Sequence, residues 1–300
     1  MCNDFNGNDF EFKVKNNKFV ITCELGPPKG VDIENIKENV EILKGIVDAV
    51  NVSDNQGSNM KLGGLAISHI LSEMGLEPIF QITCRDRNRL ALQSDLLSAH
   101  VLGIKNILIL TGDYTNIGDN PQAKPVFDLD SVQLLNVVKK LEEGYDIAGN
   151  SLKGKPVFFK GAVVNTEAES DISFELQLIK MHKKIEAGAQ FFQTMPVFDT
   201  VNFFRFKERA DKMKINIPII AGILLVKSEK MGNYVNKYIP GVRVPDGVIG
   251  KIKIASDKVS TSIDIATSII NKIKPFCSGI HIGAQGWEEH IPKLIKNIKN

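Results

Sequence analysis

The chain has 300 residues, 43% of them hydrophobic and 24% charged, a composition close to the globular average that excludes a disordered, collagen-like or coiled-coil protein. Lys+Arg 37 against Asp+Glu 35 leaves a formal charge of +2, without the basic excess of a protein that lives on phosphate contacts, so nucleic acid is not an expected partner. The length accommodates two average domains or one large α/β unit.

Residues 1–17 (MCNDFNGNDFEFKVKNN) are polar and Asn-rich and are assigned to a polar N-terminal arm. They hold no apolar run of the kind a secretory signal needs. No stretch of about 18 apolar residues occurs anywhere, so no membrane span is expected and the expected setting is cytoplasmic. From 18 to 300, β-branched runs alternate with amphipathic stretches. Strands are expected over 19–25, 47–53, 77–83, 106–111, 156–164, 190–195, 218–224 and 279–283. Helical spacing follows each, as in Ile36, Val40 and Leu43. Gly75, Gly103 and Gly188 stand just past such stretches, where a left-handed residue ends a helix. Asp130-Ser131 and Asp171-Ile172-Ser173 offer N-cap side chains.

Strands that are apolar throughout and alternate with helices form a parallel sheet covered on its faces. Eight such units predict a single (β/α)8 TIM barrel. A doubly wound open sheet is the runner-up, but no G-x-G-x-x-G follows the first strand. Two stretches exceed the minimal unit, 112–130 and 234–253, and long structured connections of this kind commonly serve a site.

A barrel of this class carries its chemistry at the C-terminal strand ends. Glu24 lies in the apolar run Ile21-Thr22-Cys23-Glu24-Leu25-Gly26-Pro27-Pro28, where desolvation raises a carboxyl pKa and suits it to general-acid work. Alternatively, its charge pairs with Arg or Lys across the barrel. The second strand ends in Asn51-Val52-Ser53-Asp54-Asn55-Gln56, and the third in Gln81-Ile82-Thr83-Cys84-Arg85-Asp86-Arg87. The fourth ends in Leu110-Thr111-Gly112-Asp113, where Gly-Asp is equally a common turn. The sixth carries Gln193-Thr194-Met195 behind Phe191 and Phe192, which read as core. The eighth carries His281, followed by Gly283-Ala284-Gln285-Gly286-Trp287-Glu288. Lys180, Lys183 and Lys184 read as a solvated helix face. The five histidines and the four cysteines (Cys2, Cys23, Cys84, Cys277) show no ligand spacing, so neither a metal site nor a disulfide framework is expected.

Taken together with Lys184-Ile185-Glu186-Ala187-Gly188-Ala189 and Ile220-Ala221-Gly222-Ile223, these segments resemble the methylenetetrahydrofolate reductase family from about residue 19 to the last helix, most closely its short bacterial form. The resemblance implies a flavin-bearing (β/α)8 barrel, with FAD or alternatively FMN. Its implied reaction reduces 5,10-methylenetetrahydrofolate to 5-methyltetrahydrofolate in one-carbon metabolism. By position, Glu24 matches the family's general acid, and Asp113 the carboxylate near flavin and pterin. Ser53, Gln81, Thr83, Asp113, Asn165 and Lys184 match flavin-holding positions, which for Lys184 replaces the surface assignment. Gln193, Met195 and Asp113 match positions that bind the tetrahydrofolate substrate.

Three departures stand out. Met195 replaces a pterin-binding Gln; Gln81 and Gly161 replace a His and a Tyr; and 112–130 is unlike the better-known forms, which makes it a candidate partner surface. The implied electron donor is NADH or a partner subunit with an iron–sulfur or zinc centre, and an oligomer is expected. Two alternatives stand beside this one: a non-redox pterin-binding barrel of methyltransferase or lyase type, and a reductase subunit active only with an electron-transfer partner.

Overall fold

In a computed structural model describing residues 9–167, 170–239 and 241–299, eight parallel strands close into a barrel in sequence order. They are β1 Val20–Leu25, β2 Ala49–Val52, β3 Pro78–Thr83, β4 Asn106–Leu110, β5 Phe159–Val164, β6 Phe191–Pro196, β7 Ile219–Leu224 and β8 Gly279–Gly283. Each lies within an expected run, except that β6 extends one residue further, to Pro196. The ring shuts where β8 pairs with β1, His281 opposite Thr22 and Ile282 opposite Cys23. The fold is the (β/α)8 barrel that the alternation predicted.

The described helices are α1 Asp9–Lys15, α2 Glu34–Leu43, α3 Gly64–Glu73, α4 Arg89–Val101, α5 Ser131–Glu143 and α6 Asp171–Glu186. They continue with α7 Thr200–Lys212, α8 Glu229–Tyr238, α9 Asp246–Ile254, α10 Lys258–Ile273 and α11 Ile291–Lys299. Outward-facing strand residues such as Ile82, Ile107 and Ile109 pack beneath α4 and α5, and Cys23, Val50 and Ile282 beneath α2, α10 and α11. Burial on both faces is why these strands read as continuous apolar runs. None of the described helices is long and apolar enough to cross a membrane.

Helix ends follow local chemistry. Gly75, Gly103 and Gly188 take φ of 82°, 81° and 108°, as left-handed C-terminal caps require. Asp130 and Gln133 form a reciprocal capping box on α5. At α6 the cap is Ser170, whose hydroxyl accepts from Ser173 N. Asp171, expected to cap, is the first helical residue and instead pairs with Arg205 and Arg209 of α7.

The N-terminal arm holds more than its composition promised. Residues 1–8, Cys2 among them, lie outside the described residues. Within 9–15, Phe10 and Val14 stand four apart, on one face of α1, and are buried at 0% and 1% exposure. They pack against Val20, Ala49, Ile79, Leu108, Phe159, Phe191 and Ile220, inward-facing residues from the lower halves of the strands. Helix α1 is thus the floor plug of the barrel. Glu77 accepts from Phe10 N at 3.1 Å and Lys13 pairs with Asp48 at 2.8 Å, which fixes its position.

Gly161 belongs to the same packing. A Cβ there would lie 2.2 Å from the Phe191 ring, which stacks on Phe159 at 4.9 Å. The phenylalanine therefore fills the space that a larger residue on β5 would need. Gly161→Ala is expected to destabilise the fold by about 1–3 kcal/mol. A urea midpoint equal to that of the natural chain would show instead that the ring yields freely.

Within 234–253 the described residues include the end of α8 and most of α9. Val235, Val244, Ile249 and Ile252, from α8, α9 and their connection, bury against Phe198 and Val226 as a satellite core.

Candidate active site

Inward-facing side chains at the strand ends converge on one mouth. Glu24 on β1 is half-buried and makes no ion pair among the described residues. The charge pairing across the barrel considered from sequence is therefore absent. Its carboxyl lies between two amides instead: Gln81 Nε2 donates to Oε2 at 3.4 Å, and Gln285 Nε2 to Oε1 at 3.4 Å. Burial pushes its pKa above the ordinary carboxylate value and the charge of Glu288 adds to this, while the amides of Gln81, Gln56 and Gln285 oppose it.

A strut crosses the lumen. Asn51 Nδ2 on β2 donates to Gln193 Oε1 on β6 at 2.8 Å, between strands that face each other across the ring. Asn51 Oδ1 is buried without a partner. On the adjoining wall Thr22 Oγ1 meets His281 Nδ1 at 3.1 Å, and burial holds the imidazole pKa down at about 3, so the ring is neutral.

The rim after β3 is built from ion pairs. Asp54 accepts from the Thr83 amide and hydroxyl, each at 2.8 Å, and from both terminal nitrogens of Arg87 at 2.7 and 2.9 Å. Arg87 also meets Asp95 at 2.8 Å. Arg85, only 1% exposed, is held by Asp86 and by the Asn55 carbonyl. These arginines brace the rim, and each has its charge matched there.

Asp113 is exposed and accepts from Gly57 N at 3.2 Å. Gly112 before it has φ of 96°, and a Cβ would come within 2.9 Å of Arg85 Cβ, so the Thr-Gly-Asp turn requires glycine. The connection that follows is tied down at Asp119, which accepts from Met60 N at 2.9 Å and pairs with Lys29. It thereby joins the loops after β1, β2 and β4. Asn165 closes β5 and accepts from Glu167 N at 2.9 Å.

The methylenetetrahydrofolate reductase family model matches residues 10–299. The chain belongs to that family. It is 28% identical over 232 residues to the 5,10-methylenetetrahydrofolate reductase of Pectobacterium carotovorum subsp. carotovorum, covering 75% of this chain and 70% of that protein. The enzyme of the same name from Escherichia coli is 27% identical over 228 residues, 73% and 70% of the two chains. The Buchnera aphidicola protein from the Acyrthosiphon pisum strain is 26% identical over 277 residues, 89% and 87%. Among solved structures, an uncharacterized Clostridium thermocellum protein that binds two copies of 5-methyl-5,6,7,8-tetrahydrofolic acid superposes with a TM-score of 0.70, covering 96% of this chain and 98% of that one. At 16% identity this likeness speaks for the fold.

For this member of the methylenetetrahydrofolate reductase family, the strand ends bring together Glu24, Gln81 and Gln193 at the lumen, with Ser53 and Thr83 buried at the adjoining rim. Met195 lies beside a bulge. Pairing of β6 with β7 breaks between Gln193 and Pro196, and the Thr194 hydroxyl fills the gap by accepting from Gly222 N at 2.9 Å. Met195 then packs against the satellite core of α8 and α9. Asn51, Gln285 and Glu288 have no assigned role from sequence, although the Gln285-Gly286 turn after the last strand is a visible local signal. Among the described residues, no cluster of three metal-ligating side chains is placed to hold an ion.

Lys184 is not a solvated surface lysine. Its Nζ donates to the Val163 carbonyl at 2.7 Å, and burial, reinforced by Lys180, pulls its pKa from 10.5 down to about 8. Below that pH both the folded and the unfolded chain hold this proton. Between about 8 and 10.5 only the unfolded chain does, so folding stability rises with pH across that window. Urea midpoints on either side of pH 8 are expected to show this rise in the natural chain and its loss in Lys184→Met. Equal slopes in the two proteins would contradict the burial.

Proposed function

We propose that this chain reduces 5,10-methylenetetrahydrofolate to 5-methyltetrahydrofolate, with FAD as its cofactor, FMN as the alternative, and NADH or a partner subunit as electron donor. The observation that carries this is Glu24. It is a carboxyl at the end of β1 whose pKa burial raises and which is held by amides rather than by a cation.

The lumen fits a flavin ring on the chemistry of its side chains. An isoalloxazine edge alternates carbonyl and N–H groups, so its partners must both donate and accept. Amides do both, and Asn51 and Gln81 supply two. The buried Asn51 Oδ1 is in addition an acceptor with no donor, a state that costs about 1–3 kcal/mol until something fills it. Ser53, Gln81, Thr83, Asp113 and Asn165 would hold the cofactor, with Lys184 as the cation toward its phosphate side. When bound, the flavin supplies the hydride that the protein's own side chains cannot.

The chain's residues do the rest. Glu24 donates its proton to the folate amine released as the methylene bridge opens. Asp113, fixed by Gly57 N, sets a negative charge at the rim that favours the cationic methylene iminium so produced. Gln193, anchored by Asn51, supplies the amide for pterin recognition that Met195 cannot.

The test mixes purified protein with FAD or FMN, 5,10-methylenetetrahydrofolate and NADH, and follows 5-methyltetrahydrofolate by chromatography. Product with one flavin supports the proposal and selects the cofactor. Product only after a chemical reductant replaces NADH points to a partner subunit as donor. Tight tetrahydrofolate binding with no flavin bound and no product would overturn it in favour of a non-redox pterin barrel.

A further inference from the structure

The turn after β8 brings Gln285 against Glu24 and buries Glu288 beside it in sequence. Beyond Gly283, Gln285 and Gly286 take φ of 55° and 86°, both in the left-handed region. A glutamine there is uncommon and persists only where its surroundings impose it. Here Lys227 imposes it: its Nζ donates to the Gln285 carbonyl at 2.6 Å and lies 5.5 Å above the Trp287 ring. Gly286 N donates to Glu288 Oε1 at 2.8 Å and closes the turn. In consequence an exposed backbone holds the Gln285 amide against Glu24 Oε1, while Gln81 holds Oε2 from β3. Glu288 is itself buried, with no cation paired to it among the described residues.

We propose that this turn is the positioning device for Glu24: Gln285 orients its carboxyl, and Glu288, buried and anchored to Gly286 N, sets a second carboxyl in the same turn. The proposal rests on Glu24 being the acid of the reaction above. Gln285 and Glu288 then act in opposite directions on one proton. An amide donor stabilises the carboxylate, whereas a second buried negative charge disfavours it. Other ionisable groups near the mouth are otherwise engaged. Asp54 is locked to Arg87, His281 is neutral, Asp113 holds Gly57 N, Lys227 is committed to the Gln285 carbonyl, and Cys23 faces the outer core.

The test compares the natural chain with Gln285→Gly and Glu288→Gln. Glycine removes the amide and the left-handed strain together, and glutamine keeps the acceptor for Gly286 N. In each protein the carbonyl band of the protonated Glu24 carboxyl, identified by its loss in Glu24→Gln, is titrated by infrared difference spectroscopy. The pH profile of kcat is measured beside it. Activity that needs the protonated acid falls as pH rises through its pKa. Gln285→Gly is therefore expected to move the band midpoint and the falling limb up by about one pH unit, and Glu288→Gln to move both down by about as much.

Lys227→Met, which frees the turn and leaves both side chains, is expected to move them up by less. Opposite displacements support the proposal. Midpoints that coincide, or that move in one direction in Gln285→Gly and Glu288→Gln alike, overturn it, because a merely structural role lowers rates without moving the titration. The band needs no turnover. Opposite displacements in a chain that forms no 5-methyltetrahydrofolate would uphold the turn's role while removing the proposed reaction.

Discussion

Glu24→Gln is expected to lower the rate of methylene reduction by roughly 10²–10⁴-fold, the range that a positioned general acid contributes, while the barrel folds and binds tetrahydrofolate as before. The substitution preserves shape. The new amide oxygen still accepts from Gln81, and Gln285 meets the new NH2 group by turning its own oxygen toward it. Stability is not at risk, because burial already disfavours the charge that is removed. What is lost is the proton. The defect should therefore fall on kcat, with little change in KM, and should not be repaired by lowering the pH. In the natural chain the rate is expected to fall as pH rises through the raised pKa of Glu24. Single-turnover formation of 5-methyltetrahydrofolate checks both statements, and an unchanged kcat in Glu24→Gln would remove this residue from the mechanism.

The largest expected effect on stability lies at the opposite end of the barrel. Phe10→Ala is expected to cost about 3–5 kcal/mol, the usual range for emptying a buried phenylalanine site. The ring lies edge-on to Phe159 at 5.7 Å and to Phe191 at 5.5 Å, and it caps the inward-facing residues that the strands alone leave uncovered. Its removal opens a void that close-packed neighbours refill only in part. Lys13→Met, which removes the Asp48 ion pair from the same helix, should change stability by less than about 1 kcal/mol. Urea unfolding of the two variants separates apolar plugging from charge pairing as the reason α1 docks. Equal, small effects would show that the barrel does not need the plug.

The two predictions differ in how far sequence could reach them. Glu24 stands out locally, as a carboxylate inside Ile21-Thr22-Cys23-Glu24-Leu25, and in a barrel that run places it at a strand end. Phe10 and Val14 stand among a few scattered apolar residues, Phe5 and Phe12 included, in a polar stretch without a clean helical period, and only the ring of strands beneath them shows what they cover. The arginines of Arg85-Asp86-Arg87 have a similar history. Their charges could have faced an anion, yet Asp54, Asp86 and Asp95 take them up.

What the sequence by itself determined is the alternation of buried strand and amphipathic helix, the glycine caps between them, and the polar residues that end each strand. All of these are short-range patterns, set by side-chain period and backbone conformation. The tertiary structure decided which of those polar groups meet. Asn51 and Gln193 are 142 residues apart and Glu24 and Gln285 are 261 apart, and contacts at such separations leave no trace in local spacing. The bulge in β6 beside Met195 is likewise a tertiary feature. Its course depends on the Gly222 amide of the next strand finding the Thr194 hydroxyl, a partner that exists only when the barrel is closed.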